Sequence, residues 1–218
     1  MLVLNQLNGF GVKNRRVPLE TLTFTDSASN DGGAGNPYTF SGMSLGAAHE
    51  GRRIIVCYQG NEAGHNLDAV SVGGVAAEFI AEYQFSTTIR SEIWIADVPD
   101  GTTGDVVLTG TSSVDWAKIV FLYALDSVKE VVETASDAAT TFTFTRTFND
   151  NEFYVGLGRS LSTTSETYTN ATEDGALALA GRTRASVASY GPATSGSRTI
   201  TFTPSSSTSA YLLSAVFG

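Results

Sequence analysis

Gly42-Met43-Ser44-Leu45-Gly46 has the G-x-S-x-G spacing of a nucleophile elbow, in which a serine on a sharp strand-to-helix turn attacks an acyl group. That chemistry also needs a helix directly after the serine, and an acid and then a histidine further along the chain. Here Ala47-Ala48-His49-Glu50-Gly51 leads into an apolar run instead, and the two histidines, His49 and His65, both fall within 21 residues of Ser44. A hydrolase is therefore not expected. His49, Glu50, Glu62, His65 and Asp68 offer the nitrogen and oxygen donors that zinc takes, but neither an H-E-x-x-H nor a paired-cysteine spacing accompanies them, and they read as polar loop tips. Asp26, Asn30 and Asp31 supply oxygens of the kind calcium takes, without the spacing or closing glutamate of an EF-hand; a solvated loop is the reading and a structural calcium the alternative.

Three further residue types could carry function. Trp94 and Trp116 would suit sugar stacking if exposed, yet each lies in an apolar stretch and reads as core or interface. Cys57, the single cysteine, sits between Val56 and Tyr58 and reads as a small buried apolar group; alone, it forms no intramolecular disulfide. Asn170-Ala171-Thr172 matches the glycosylation sequon, with no secretory signal to give it weight. The expectation is a protein that is not an enzyme, with no catalytic, cofactor-binding or metal-binding residue and no cofactor.

The elements that would position these residues are strands. In Ser91–Gly110, Glu92, Trp94, Ala96 and Val98 alternate with Ser91, Ile93, Ile95 and Asp97, the period of an extended chain with two different faces. Pro99, Asp100, Gly101 and Gly104 then supply turn chemistry, so the stretch predicts a β-hairpin. Arg52–Tyr58 and Asp115–Leu125 are near-continuous apolar runs, as expected of central strands covered on both faces. Thr141–Phe148 alternates phenylalanine with threonine and predicts one core face. Residues 26–37 read as a loop, residues 127–139 as a helix or loop between two halves, and residues 159–175 as a long exposed loop. No exact internal repeat is seen. About twelve short strands with glycine, asparagine and proline turns predict an all-β antiparallel β-sandwich of jelly-roll type. The division expected is an extended N-terminal arm over residues 1–20 and a single sandwich domain over 21–218, with two β subdomains split near 126–140 as the alternative.

Composition narrows the partners. The 218 residues carry 13 basic and 22 acidic side chains, a formal net charge of -9. Lys13, Arg15 and Arg16 all fall in the first 16 positions, leaving 10 basic against 22 acidic residues for the remainder, which phosphate backbones would repel; nucleic-acid binding is not expected. No run of 18 apolar residues occurs, and no membrane partner is expected. The N-terminus makes a poor signal peptide, because its apolar residues are interrupted by Asn5, Gln6, Asn8 and Gly9. In the arm, Leu2, Leu4, Leu7, Phe10, Lys13, Arg15 and Arg16 are the candidate partner-binding residues: apolar side chains and a basic cluster on a segment that would order on a neighbouring subunit.

The succession YTFSGMSLG, RRIIVCYQG, LDAVSVGGVAAEF, SEIWIADVPDGTTGDVVLTGT and KIVFLYAL, over roughly residues 22–126, resembles small β-rich accessory structural proteins of tailed bacteriophages, prophages and gene-transfer agents. The likeness is one of pattern and carries over no catalytic residue. It implies a virion component: a capsid decoration (cement) protein that binds the major capsid protein, with a tail- or fibre-associated protein or a carbohydrate-binding, host-receptor module as alternatives. It also implies a homo-oligomer, with a trimer the expected form, on the outer surface of the capsid after synthesis in the host cytoplasm.

Overall fold

Alternation along the chain becomes seventeen strands among the described residues, which contain no helix. The computed structural model describes residues 20–32, 35–61, 67–86, 89–110, 117–127, 129–139, 141–160, 165–179, 183–205 and 210–218. The first nine strands are β1 (Leu22–Asn30), β2 (Tyr38–Ser44), β3 (Arg52–Asn61), β4 (Leu67–Val72), β5 (Val75–Ala76), β6 (Glu78–Ser86), β7 (Ile89–Asp97), β8 (Thr103–Gly110) and β9 (Lys118–Asp126). The remainder are β10 (Val131–Ala139), β11 (Phe142–Phe148), β12 (Phe153–Ser160), β13 (Glu166–Thr169), β14 (Thr172–Leu179), β15 (Thr183–Tyr190), β16 (Gly196–Pro204) and β17 (Ala210–Phe217). They form four antiparallel sheets: a first inner sheet β1-β9-β3-β7-β6, a first outer sheet β2-β8-β4-β5, a second inner sheet β10-β17-β12-β15-β14 and a second outer sheet β11-β16-β13. Among the described residues no strand up to Asp126 pairs with one from Val131 onwards.

The cores order these sheets as outer, inner, inner, outer. Phe40, Val70, Val106 and Leu108 of the first outer sheet pack on Ile54, Val56, Trp94 and Leu122 of the first inner one. The opposite face of that inner sheet, with Ile55, Cys57, Ile93 and Phe121, packs on Val155, Leu157, Val187 and Leu213 of the second. Phe144 and Ile200 cover Tyr154 and Val216, and Phe142 and Phe202 cover Leu212. The layer order explains the two sequence patterns. The central strands of an inner sheet have no solvent face, so β12 and β17 are buried at every position and β9 at all but its last. Strands of an outer sheet have one, so β11 alternates buried phenylalanines with exposed threonines. The result is an all-β antiparallel sandwich.

Four sequence expectations are corrected. Ser91–Gly110 is not a hairpin: β7 pairs with β3 and β6, while β8 pairs with β2 and β4, so residues 98–102 carry the chain from one sheet to the one facing it. The burial patterns give the reason, since β7 is covered on both faces and β8 on one, and strands with such different surroundings belong to different layers. Residues 26–30 are strand rather than loop, because β1 follows β9 through a bulge after Phe24 to pair Asn30 with Lys118. Residues 131–139 form the edge strand β10 on β17, not a helix. The long loop expected over 159–175 is interrupted by β13 and β14, each paired in a different sheet.

Candidate functional site

The sheet-to-sheet crossing after β7 is held from β3 by one buried side chain. Arg52 is 0% exposed, and all five of its N–H groups are directed at backbone carbonyls. Nε donates to Val98 O at 2.7 Å, Nη1 to Gly46 O at 3.1 Å and Ala47 O at 2.8 Å, and Nη2 to Asp100 O and Gly101 O at 2.8 Å each. Two loops are thereby tied to one guanidinium, whose planar fork suits several carbonyls at once. This is structural work, and it replaces the local turn chemistry that the PDG stretch suggests.

A polar seam lies in the largely apolar contact between the two inner sheets. Gln59 of β3, Ser91 of β7, Arg159 of β12 and Tyr211 of β17 are each 0–1% exposed. Ser91 Oγ donates to the Tyr211 hydroxyl at 3.0 Å. With the Gln59 amide oxygen turned towards the guanidinium, it accepts from Tyr211 Oη at 3.0 Å and from Arg159 Nε at 2.8 Å. Arg159 Nη1 also reaches Gly60 O at 3.4 Å. The rings of Tyr83 and Phe85 stand 5.1 and 5.7 Å from that of Tyr211. At another point of the same contact, Tyr123 Oη donates to Asp174 Oδ2 at 2.8 Å. Buried polar groups joined in this way fix one register where apolar packing tolerates several.

Two glutamates are buried between an inner sheet and the outer sheet that covers it, Glu92 on an inner strand and Glu166 on an outer one. Glu92 of β7 accepts from Trp94 Nε1 at 2.7 Å on one carboxylate oxygen, while its other oxygen is 3.7 Å from Arg90, too far for a hydrogen bond, and has no hydrogen-bond partner. Burial pushes the Glu92 carboxyl up to about 7, against the Trp94 hydrogen bond and the Arg90 charge. Arg90 itself is held by Glu82 at 2.8 Å and Gln84 at 3.0 Å. Glu166 of β13 accepts from Ser186 Oγ, with Arg184 Nε 3.8 Å away, and its second oxygen likewise has no hydrogen-bond partner. Burial pushes it up to about 7 as well, against the hydroxyls of Ser186 and Ser160 and the Arg184 charge. A carboxyl poised near neutrality can exchange a proton, but neither group lines the cleft of about 230 Å³ between β10, β11 and β17, whose walls include Ala135, Phe142, Thr143 and Leu212.

The sequence candidates are dispersed. Ser44 ends β2 opposite Thr103, its backbone N–H donates to Asp26 Oδ2 at 2.7 Å, and a loop follows it where an elbow needs a helix. Asp26 Oδ1 accepts from Ser27 N, and Asn30 Oδ1 from Gly32 N at 3.0 Å, so these oxygens serve local backbone rather than converging. His49, Glu50 and Asp68 are exposed; Glu62 and His65 lie outside the described residues, and among the described residues no three His, Cys, Asp or Glu side chains gather as metal ligands. Trp94 is 6% exposed, with Phe79 edge-on at 5.2 Å, and belongs to the core; Trp116 lies outside the described residues. Cys57 is fully buried, which raises its thiol pKa. The arm residues Leu2, Leu4, Leu7, Phe10, Lys13, Arg15 and Arg16 also lie outside the described residues.

Sequence reasoning missed Arg52, Gln59, Arg159, Glu92 and Glu166. Four of the five carry a visible signal, a charged or amide residue inside a run that is otherwise apolar on both faces, as in RRIIVCYQ, SEIWIADV and YVGLGRS. Among the described residues no helix is long and apolar enough to cross a membrane. Comparison with family models, with curated proteins and with solved structures finds no match to this chain.

Proposed function

We propose that the protein is a structural component of a virion: a capsid decoration protein that binds the major capsid protein on the outside of the particle and stabilises its lattice. One observation carries the reading. The stretch resembling accessory structural proteins of phages, residues 22–126, coincides with one closed pair of sheets, from the first residue of β1 to the last of β9. The resemblance therefore spans a whole packing unit rather than a fragment of one. The order β1-β9-β3-β7 facing β2-β8-β4-β5 supports the jelly-roll type for this unit, with β6 added at an edge. A stack of four sheets is held by packing and buried hydrogen bonds rather than disulfides, which suits a mechanical role, and its acidic body suits a surface away from packaged nucleic acid. The arm, with Leu2, Leu4, Leu7, Phe10, Lys13, Arg15 and Arg16, is the proposed grip on neighbouring subunits, and a trimer about a local symmetry axis is the proposed assembly.

Quantitative mass spectrometry of purified particles tests this. A copy number equal to that of the major capsid subunit, or a simple fraction of it, is expected. A few copies per particle would replace the lattice role with a tail or fibre role, and absence from the particle would overturn the virion reading. Deleting residues 1–16 should abolish particle association while leaving the far-ultraviolet circular dichroism spectrum unchanged.

A further inference from the structure

The second half of the chain repeats the strand order of the first. Exchanging β1, β9, β3, β7 and β6 for β10, β17, β12, β15 and β14 converts the first inner sheet into the second. Exchanging β2, β8 and β4 for β11, β16 and β13 converts the outer sheets, and the two-residue β5 alone lacks a counterpart among the described residues. The register agrees. Tyr38 faces Leu108 and Phe40 faces Val106 in the first half; Phe142 faces Phe202 and Phe144 faces Ile200 in the second. Both first strands, β1 and β10, carry a bulge near their start against the last strand of their half.

Aligning the rungs of the inner sheets pairs Ile119, Gln59 and Ser91 with Tyr211, Arg159 and Ala185. These two rungs are the ones that meet across the seam, where Gln59 bonds its own counterpart Arg159. The packing between halves is reciprocal as well: β1 lies on β14 and its counterpart β10 on β6, while β9 lies on β14 and its counterpart β17 on β6. Contact of i with j matched by contact of j with i is the property of an isologous interface, the kind that joins two identical subunits about a two-fold axis.

We infer that this chain is a covalently joined pseudo-dimer: two copies of one sandwich unit, each with a self-complementary inner sheet whose partner is another copy of the same unit. The contact between the inner sheets then acts as a binding interface, and the link over residues 127–130 raises the effective concentration of the halves without being needed for their recognition. Divergence has left the polar seam asymmetric, with Gln59 and Ser91 on one side and Arg159 and Tyr211 on the other. That asymmetry favours pairing of unlike halves over like ones.

A protease site inserted between Asp126 and Val131 of the full chain, cut after folding, tests this. After denaturation and dilution of the nicked protein, the fragments are expected to re-form a 1:1 complex that elutes with the intact protein, with an unfolding midpoint that rises with protein concentration, as association requires. Ile93→Arg or Val187→Arg, at counterpart positions in the interface, should abolish re-association of the nicked chain. A second nick, within one half at the Gly73-Gly74 turn, is the control, because it separates strands that interleave in the same two sheets. Fragments that stay apart after the inter-half cut overturn the proposal, and so does equal recovery from the two nicks. The outcome is independent of whether the protein is found in particles.

Discussion

Replacing Arg52 is the sharpest test of how the sheet crossing is held. Arg52→Met keeps much of the side-chain volume and removes all five N–H donors that now meet carbonyls of residues 46, 47, 98, 100 and 101. A hydrogen bond in a folded protein contributes about 1 kcal/mol net, and more when charged, so the loss should be about 5 kcal/mol, reduced where water can reach the partly buried loop carbonyls. Arg52→Lys restores three donors on a point charge and should recover only part of this, leaving a loss of about 2–3 kcal/mol. Asp97→Asn is the comparison. Asp97 forms an ion pair with Arg53, 2.8 Å from its Nε, but the Asp97 side chain is 76% exposed, and a solvated pair of this kind contributes less than about 1 kcal/mol. Equilibrium unfolding in urea reads all three, as a fall in midpoint at unchanged slope. An Arg52→Met variant within about 1 kcal/mol of the parent would refute the reasoning that buried carbonyls depend on this guanidinium.

Other expectations follow from the buried groups. Glu92 and Glu166 have folded pKa values of about 7 against an ordinary 4.5, so between those values the folded state holds protons that the unfolded chain releases. Stability should therefore fall as pH rises from about 4.5 to 7, by at most about 3 kcal/mol per group, and Glu92→Gln with Glu166→Gln should flatten that slope in urea titrations across the range. Glu152 acts in the opposite direction: burial raises its carboxyl, but the Asn149 hydrogen bonds and the Arg146 charge outweigh that and lower it. Its contribution is lost as pH falls through its depressed value, and Glu152→Gln should remove that acid-side loss. Gly158→Ala would drive a methyl group against the Tyr168 hydroxyl and to 2.5 Å from the Phe202 ring, costing about 1–3 kcal/mol in the same assay. Trp94→Ala should cost about 3–5 kcal/mol, because it opens the core beneath Phe79 and removes the donor to Glu92; thermal melting with retained β-sheet circular dichroism at low temperature checks it.

What the amino-acid order decided by itself was local. Period-2 alternation in Thr141–Phe148 declared one solvent face, and the unbroken apolar runs in Arg52–Tyr58 and Lys118–Leu125 declared two covered faces, because side chains of a strand point alternately to opposite sides. The all-β class followed from these patterns. Which strand pairs with which did not. The turn residues around Pro99 promise a reversal, and a reversal serves a hairpin and a crossing between facing sheets equally well; the covering of β7 on both faces, supplied by β2, β4 and β8 on one side and the second half on the other, chose the crossing. The duplication was equally hidden. Gln59 and Arg159, or Lys118 and Ala210, hold counterpart rungs but differ in residue type, so no exact repeat is legible in the sequence. Position in a sheet is set by long-range pairing, and only the folded chain brings the two copies of that pairing face to face.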